Sequence, residues 1–286
     1  MQLYLHKLHS YIYKSLKGKG LGKYYVFDFL YKIFVNKIKT DFAIVKGHPM
    51  FLDDKDSLDL SINGFFEEFE TELIESLIKR GQVVLDIGAN IGYYSLIFAK
   101  LVGDKGKVYA FEPDPINFQI LKRNVTLNSY TNIKLINKAV MDKERTINFY
   151  LHPTNKGAHK IFRDSKEDKL IKVDTITLDD YFSKNKIKVD FIKFDIQGAE
   201  GHALMGMKKF LKNNEKTKII TEFWPAGLKR GGSKAVDFLT YFQEQRYDFF
   251  NVDENNKTLT HVSVNYLLRQ FTAKKDNYTN LLLMKK

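Results

Sequence analysis

Residues 83–95 (Val-Val-Leu-Asp-Ile-Gly-Ala-Asn-Ile-Gly-Tyr-Tyr-Ser) constrain this chain more than any other stretch. Three consecutive apolar residues before an acid describe a strand buried on both faces, as in a parallel sheet. Gly88 and Gly92 bracket a tight turn, and residues 93–101 continue as a helix. A strand, a glycine turn and a helix in that order present backbone N–H groups at the helix N-terminus, a setting for the polar end of a nucleotide-like ligand. The spacing narrows the ligand. Dinucleotide folds use G-x-G-x-x-G, whereas Asp86-x-Gly88-x-Asn90-x-Gly92 has no glycine where that pattern needs its second and third. An acid two residues before the first glycine suits a ligand with an amino-acid end, whose ammonium Asp86 would hold.

The chain has 286 residues, enough for one large α/β domain or one domain with an extension. A hydrophobic fraction of 44% supplies a core, and 28% charged residues describe a soluble domain. Without cysteine there is no disulfide, thiolate metal site or cysteine nucleophile. The net charge of +12 favours an anionic partner or reflects a plain lysine bias. No apolar run reaches the ~20 residues of a membrane helix, and Lys7 and Lys14 interrupt any leader-like segment. The expected location is cytoplasmic.

The first forty residues stand apart, with eight lysines against the single acid Asp28. Leu5, Leu8, Ile12 and Leu16 recur at helical spacing, and Gly18, Gly20 and Gly22 break that helix. We read residues 1–50 as a basic amphipathic helical extension and 51–286 as the main domain. The extension either lies on an anionic membrane surface or packs on the domain with its lysines solvated.

Along the main domain, residues 42–60 suggest a small strand pair, 71–79 a helix and 107–111 the second strand of the sheet, which ends in Glu112-Pro113-Asp114-Pro115. An acid at that strand end, 26 residues after Asp86, is where such folds hold a ribose diol, because a carboxylate accepts from two adjacent hydroxyls. Asp114 caps the next helix, with Pro115 at its first position. Residues 133–140 form a third strand, and Ala139 and Val140 at its end would flank an adenine ring. An inserted strand pair, 146–151 and 170–176, carries a basic loop at 156–169, and residues 177–180 open a short helix.

The strand 188–194 ends in Asp195-Ile196-Gln197-Gly198-Ala199-Glu200. Reactive groups of open α/β sheets collect at such strand ends. Asp195, with Lys193 two residues back on the same face, either orients or deprotonates a substrate hydroxyl or caps the next helix while paired to Lys193. Glu200 complements the helix dipole. The strand 216–221 ends in Glu222-Phe223-Trp224, and an acid beside the only tryptophan makes either a sugar-binding surface or ordinary packing. Residues 227–232 read as a mobile basic loop. Residues 235–245 form a helix, and 247–252 and 278–284 are closing strands. No Ser-His-Asp order or His-rich metal spacing stands out, so no metal ligand is assigned.

Taken together, Leu85-Asp86-Ile87-Gly88-Ala89-Asn90-Ile91-Gly92-Tyr93, Phe111-Glu112-Pro113, Thr177-Leu178-Asp179-Asp180 and the block 193–200 resemble the FkbM-type family of S-adenosylmethionine-dependent methyltransferases. The resemblance runs from about residue 51 to the C-terminus. It implies a Rossmann-like class I methyltransferase fold, a seven-stranded mostly parallel sheet with a reversed last strand, and O-methyl transfer to a hydroxyl, often of a sugar or polyketide. It places Asp86, Gly88, Ala89, Asn90, Gly92 and Tyr93 around the methionine end of the cofactor, Glu112 and Pro113 at the ribose and Asp195 beside the sulfonium; Asp195, Lys193 and Glu222 are the candidate catalytic residues. Arg246 departs from the pattern, which favours glycine before the aromatic Tyr247. The rival readings are an RNA methyltransferase, disfavoured because residues 195–198 are unlike an Asn-Pro-Pro-Tyr stretch, and a non-catalytic glycan- or membrane-associated module.

Overall fold

The computed structural model describes residues 39–183 and 187–285. The expected N-terminal helices therefore lie outside the described residues. A short antiparallel pair, β1 (Phe42–Val45) and β2 (His48–Phe51), precedes the main sheet. The side chain of Asn124 ties it to the domain, accepting from the Phe51 amide at 2.7 Å and donating to its carbonyl at 2.9 Å.

The main strands are β3 (Val83–Ile87), β4 (Lys107–Phe111), β5 (Ile133–Ile136), β9 (Phe191–Phe194), β10 (Lys218–Phe223), β11 (Asp248–Asp253), β12 (Thr258–Val262) and β13 (Thr279–Met284). Their order is β12-β11-β13-β10-β9-β3-β4-β5. The pairs from β5 to β10 are parallel, and β13 runs antiparallel between β10 and β11. The reversed strand is thus present. The sheet has eight strands rather than seven, because β12 folds back on β11 as an antiparallel edge.

The chain leaves the sheet at β5 on one edge and returns at β9 beside β3, so the crossover point lies between β3 and β9, where such folds form their ligand crevice. Strand alternation assigns the faces. Leu85, Ile87, Ile192 and Phe194 pack on one core, and Val84, Phe191, Ile220 and Leu282 on the other, beneath the helix Tyr93–Val102.

Residues 133–140 do not form one strand. Ala139–Val140 (β6) leaves the main sheet and pairs in parallel with β8 (Lys169–Ile176), which pairs in turn with β7 (Thr146–Leu151). The basic segment between β7 and β8 lies over the carboxyl end of the main sheet. The Lys156 amide donates to Ser57 Oγ at 2.9 Å, its carbonyl accepts from Asn117 at 3.1 Å, and buried His159 lies 3.3 Å from Asp114. The stretch expected as a mobile loop at 227–232 is instead mostly helix, Pro225–Arg230, begun by a proline at its first turn. No helix among the described residues is long and apolar enough to cross a membrane.

Candidate active site

Two cavities meet at the carboxyl ends of β3 and β9, sharing Gly88, Asn90, Gly157, Asp195 and Gln197. The first, about 580 Å³, has apolar walls from Val140, Met141, Phe149 and Ile161, with Glu112 at one side. The second, about 1260 Å³ and open to solvent, combines aromatic residues (Phe66, Tyr93, Tyr94, Trp224, Tyr278) with carboxylates (Glu67, Asp195, Glu222, Asp276).

Backbone geometry builds the junction. Gly88 has φ of +92°, and a Cβ there would stand 1.9 Å from the Asp195 carbonyl oxygen, so only glycine lets the loops after β3 and β9 touch. Asn90 and Gln197 are also left-handed, at φ +50° and +53°. Such strain in non-glycine residues is held in place by the surrounding structure and concentrates at ligand sites.

Glu112 is preorganised. Its Oε2 accepts from the Asn90 amide and its Oε1 from the Asp114 amide, both at 2.8 Å. Each oxygen keeps an acceptor position for a ligand hydroxyl. Burial pushes its pKa up to about 8, the two amides opposing. Asp114 caps the following helix as expected, accepting from the Ile116 amide at 3.0 Å. The first cavity also holds buried acceptors without a partner, Oδ1 of Asn90 and of Asn117.

Of the residues expected at the cofactor, the structure brings Gly88, Asn90, Glu112, Pro113, Ala139, Val140 and Asp195 to the first cavity, and Ala89 and Tyr93 to the second. Asp86 and Gly92 line neither. Asp86 shares the sheet face of Val84, sealed by the helix Tyr93–Val102, and accepts from Ser95 Oγ at 2.5 Å. Burial raises its pKa to about 6. It anchors the loop from below rather than meeting a ligand's ammonium. Gly92 has φ of +99° and packs against Leu121, so it shapes the turn.

Lys193 and Glu222 both line the wider cavity. Lys193 Nζ lies 2.9 Å from Glu70 Oε1 and 3.4 Å from Asp195 Oδ2, with the Tyr94 ring 5.0 Å away. Burial works against its charge, but Glu70, Asp195 and Glu67 outweigh burial and hold its pKa well above the usual lysine range. It is a fixed cation that positions Asp195, not a proton acceptor. Gln197 Nε2 donates to Asp195 Oδ1 at 3.0 Å and to Glu222 Oε1 at 3.4 Å. Burial, with the charges of Asp195 and Glu200 adding, raises Glu222 well above the carboxylate range.

Sequence reasoning missed Glu67 and Glu70 as site residues. Glu67 has φ of +42° and lines the wider cavity; it accepts from Tyr94 OH and from Asn280 Nδ2, both at 3.2 Å. Burial and Glu70 push its pKa up to about 8. Its partners come from segments 27 and 213 residues away, so only the left-handed backbone is local, and no residue type announces that. The cleft wall formed by residues 156–161 was missed for the same reason.

Fold and cleft together define a Rossmann-like α/β protein with a smaller, apolar-walled pocket opening into a larger polar and aromatic one. The sequence profile of the methyltransferase FkbM domain matches residues 86–249, and the chain belongs to that family. Its methyl donor is S-adenosyl-L-methionine, and the glycine cradle, Glu112 and the partnerless acceptors of Asn90 and Asn117 fit that molecule. Methyltransferase sdnD of Sordaria araneosa is 23% identical over 177 residues, 51% of this chain and 68% of that protein. The hexuronic acid methyltransferase AglP of Haloferax volcanii is 28% identical over 149 residues, 50% of this chain. The match spans 59% of AglP, less than two thirds of its length. Among solved structures, an rRNA methylase from Streptococcus thermophilus aligns with TM-score 0.43 at 14% identity, covering 76% of this chain and 93% of that one.

The structure also explains the departure at Arg246. It closes the helix Ala235–Glu244 in the left-handed conformation, φ +63°, with its amide donating to the Gln243 carbonyl at 2.9 Å. Glycine is preferred there because a Cβ is strained at such a helix end.

Proposed function

We propose that the chain moves the methyl group of S-adenosyl-L-methionine to a hydroxyl oxygen of a saccharide. The donor, when bound, supplies an electrophilic methyl on a positively charged sulfur. The chain's residues do the rest by positioning. Glu112 accepts from the ribose hydroxyls, the apolar walls around Val140 and Met141 hold the base, and the strained loops at Gly88 and Gln197 keep the two cavities in register. Asp195 accepts the hydrogen bond of the incoming hydroxyl and takes its proton, steadied by Lys193 and Gln197.

The observation that carries this reading is Asp195 at the shared edge of both cavities, a carboxylate on the boundary between donor and acceptor spaces. A saccharide suits the wider cavity because sugar C–H faces pack on Phe66, Trp224 and Tyr278 while hydroxyls donate to carboxylates. The relationship to AglP, a hexuronic acid methyltransferase, supports the same class. The net charge of +12 favours RNA as a rival acceptor, yet Glu67, Asp195, Glu222 and Asp276 would repel a phosphate backbone entering this cavity.

The test supplies donor labelled in its methyl group together with mixed glycans, glycolipids and RNA. The reading expects label in base-stable ether linkage on a sugar, and Asp195→Asn to lower turnover sharply while donor binding persists. Label confined to RNA, lost as salt rises, would replace the saccharide with the rival; full turnover by folded Asp195→Asn would remove Asp195 from the proton transfer. No calorimetric heat with the donor at millimolar concentration would favour a non-catalytic module.

A further inference from the structure

We propose that Asp195, Glu200 and Glu222 form a site for one divalent cation of the Mg²⁺ or Mn²⁺ class, behind the junction of the two cavities. One oxygen from each of the three carboxylates lies within 4.8 Å of the others. Glu200 is 0% exposed and Glu222 is 7% exposed.

A second observation, separate from their proximity, points to a missing partner. Oε2 of Glu200 and Oε2 of Glu222 are buried with no hydrogen-bond donor. The other oxygen of Glu200 accepts from the Ile196 and Gly198 amides at 3.1 and 3.2 Å, so that side chain is held in place with one oxygen left over. The other oxygen of Glu222 has only the 3.4 Å contact from Gln197, an amide already committed at 3.0 Å to Asp195. Lys193, the nearby cation, is taken by Glu70 and Asp195, and neither Glu200 nor Glu222 has an ion-pair partner among the described residues. Leaving a buried acceptor unsatisfied is unfavourable, and more so where it is charged. Three carboxylates this close cannot all stay ionised unless positive charge sits among them.

The donor set selects the ion. All three ligands are carboxylate oxygens, the preference of hard cations such as Mg²⁺, Mn²⁺ and Ca²⁺ rather than of zinc or copper. Oxygens at ~2.1 Å from an octahedral centre stand ~3.0 Å apart when adjacent and ~4.2 Å when opposite. The three oxygens, all within 4.8 Å of one another, are close to that spacing. Asp195 and Glu222 line the wider cavity, so open coordination positions would face the acceptor. A cation there polarises a bound hydroxyl; that use, though not the binding itself, rests on the methyl-transfer reading.

The experiment strips the full chain with EDTA and titrates it with MnCl₂, following free Mn²⁺ by electron paramagnetic resonance. One saturable Mn²⁺ per chain is expected, with affinity lowered about tenfold or more in Glu222→Gln and in Asp195→Asn, both checked as folded by circular dichroism. Absence of saturable binding to the wild type overturns the site, and so does unchanged binding in both variants. Displacement of Mn²⁺ by S-adenosyl-L-methionine also overturns it, since the carboxylates would then serve the donor's own positive charge. Calorimetry with the donor in EDTA keeps the two readings apart. Donor heat without Mn²⁺ binding removes the cation and leaves methyl transfer standing; Mn²⁺ binding without donor heat does the reverse.

Discussion

Glu112 and Glu222 each stand at the carboxyl end of a sheet strand, and each is buried, yet their surroundings differ in kind. Glu112 has both oxygens taken by backbone amides from the two segments beside it, Asn90 and Asp114. Glu222 has one weak contact to a side-chain amide and one oxygen with no partner. The Glu112 end of the cleft is made of main-chain geometry, so it is in place before any ligand arrives. The other end is made of side chains from distant segments, five carboxylates (Glu67, Glu70, Asp195, Glu200, Glu222) around one lysine, and its balance depends on what else occupies it. A preorganised end suits a donor common to many reactions, and an assembled end suits an acceptor that varies from protein to protein.

Removing the lysine should break the assembled end most severely. Lys193→Met leaves Glu70 and Asp195 without their buried cation, and a loss of about 3–5 kcal/mol in urea denaturation is expected. A loss below about 1 kcal/mol would mean that protons already neutralise the cluster and that the lysine is incidental.

On the donor side, Gly88→Ala should come next. The added Cβ would stand 1.9 Å from the Asp195 carbonyl at a left-handed position, with an expected cost of about 2–4 kcal/mol and loss of donor binding by calorimetry. If donor affinity survives, the contact between the two loops is not what shapes that pocket.

Glu112→Gln should separate binding from folding. It removes charge-assisted bonds to the ribose, worth about 1.5–3 kcal/mol, or roughly 10- to 100-fold in donor affinity, while the fold persists. The pH dependence carries a sign. The folded protein holds this proton up to about pH 8, whereas the unfolded chain releases it near the usual 4.5. Folding therefore takes up a proton between those values, and Glu112 lowers stability progressively as pH rises through that window, with no further change above it. Donor affinity, which uses the ionised carboxylate, should rise through pH 8. Urea midpoints and calorimetric titrations from about pH 5 to about pH 9 check both slopes, and Glu112→Gln should flatten its share of each.

The smallest effect tests a helix end far from either cavity. Arg246→Gly relieves a left-handed side chain and should raise stability by about 1 kcal/mol with donor binding unchanged. Thermal unfolding measures it.

The residues legible in advance share one property: their role is carried by local covalent geometry. The run Val83–Ile87 is a strand because its side chains want burial; Gly88 and Gly92 turn because they lack a Cβ, Asp114 caps because its carboxylate reaches two residues on, and Glu112 lines the first cavity because the strand ends just before it. The same local logic misplaced Asp86. Alternation along β3 put it on the face that the helix Tyr93–Val102 seals, and which face a helix seals is a fact of packing. It also ran residues 133–140 together, since nothing local marks where a strand changes sheets.

What this sequence determined by itself was an α/β sheet with a glycine cradle and a buried acid at the end of its second main strand, because strand burial, turn conformation and helix caps are short-range consequences of side-chain shape. Only the tertiary structure decided that Glu67, Lys193 and Glu222 line one cavity with Glu70 and Asn280 bonded to them, that residues 156–161 wall the cleft, and which buried oxygens lack a partner. Those contacts join segments up to 213 residues apart, and electrostatic balance at that range is a property of the folded interior that no window along the chain contains.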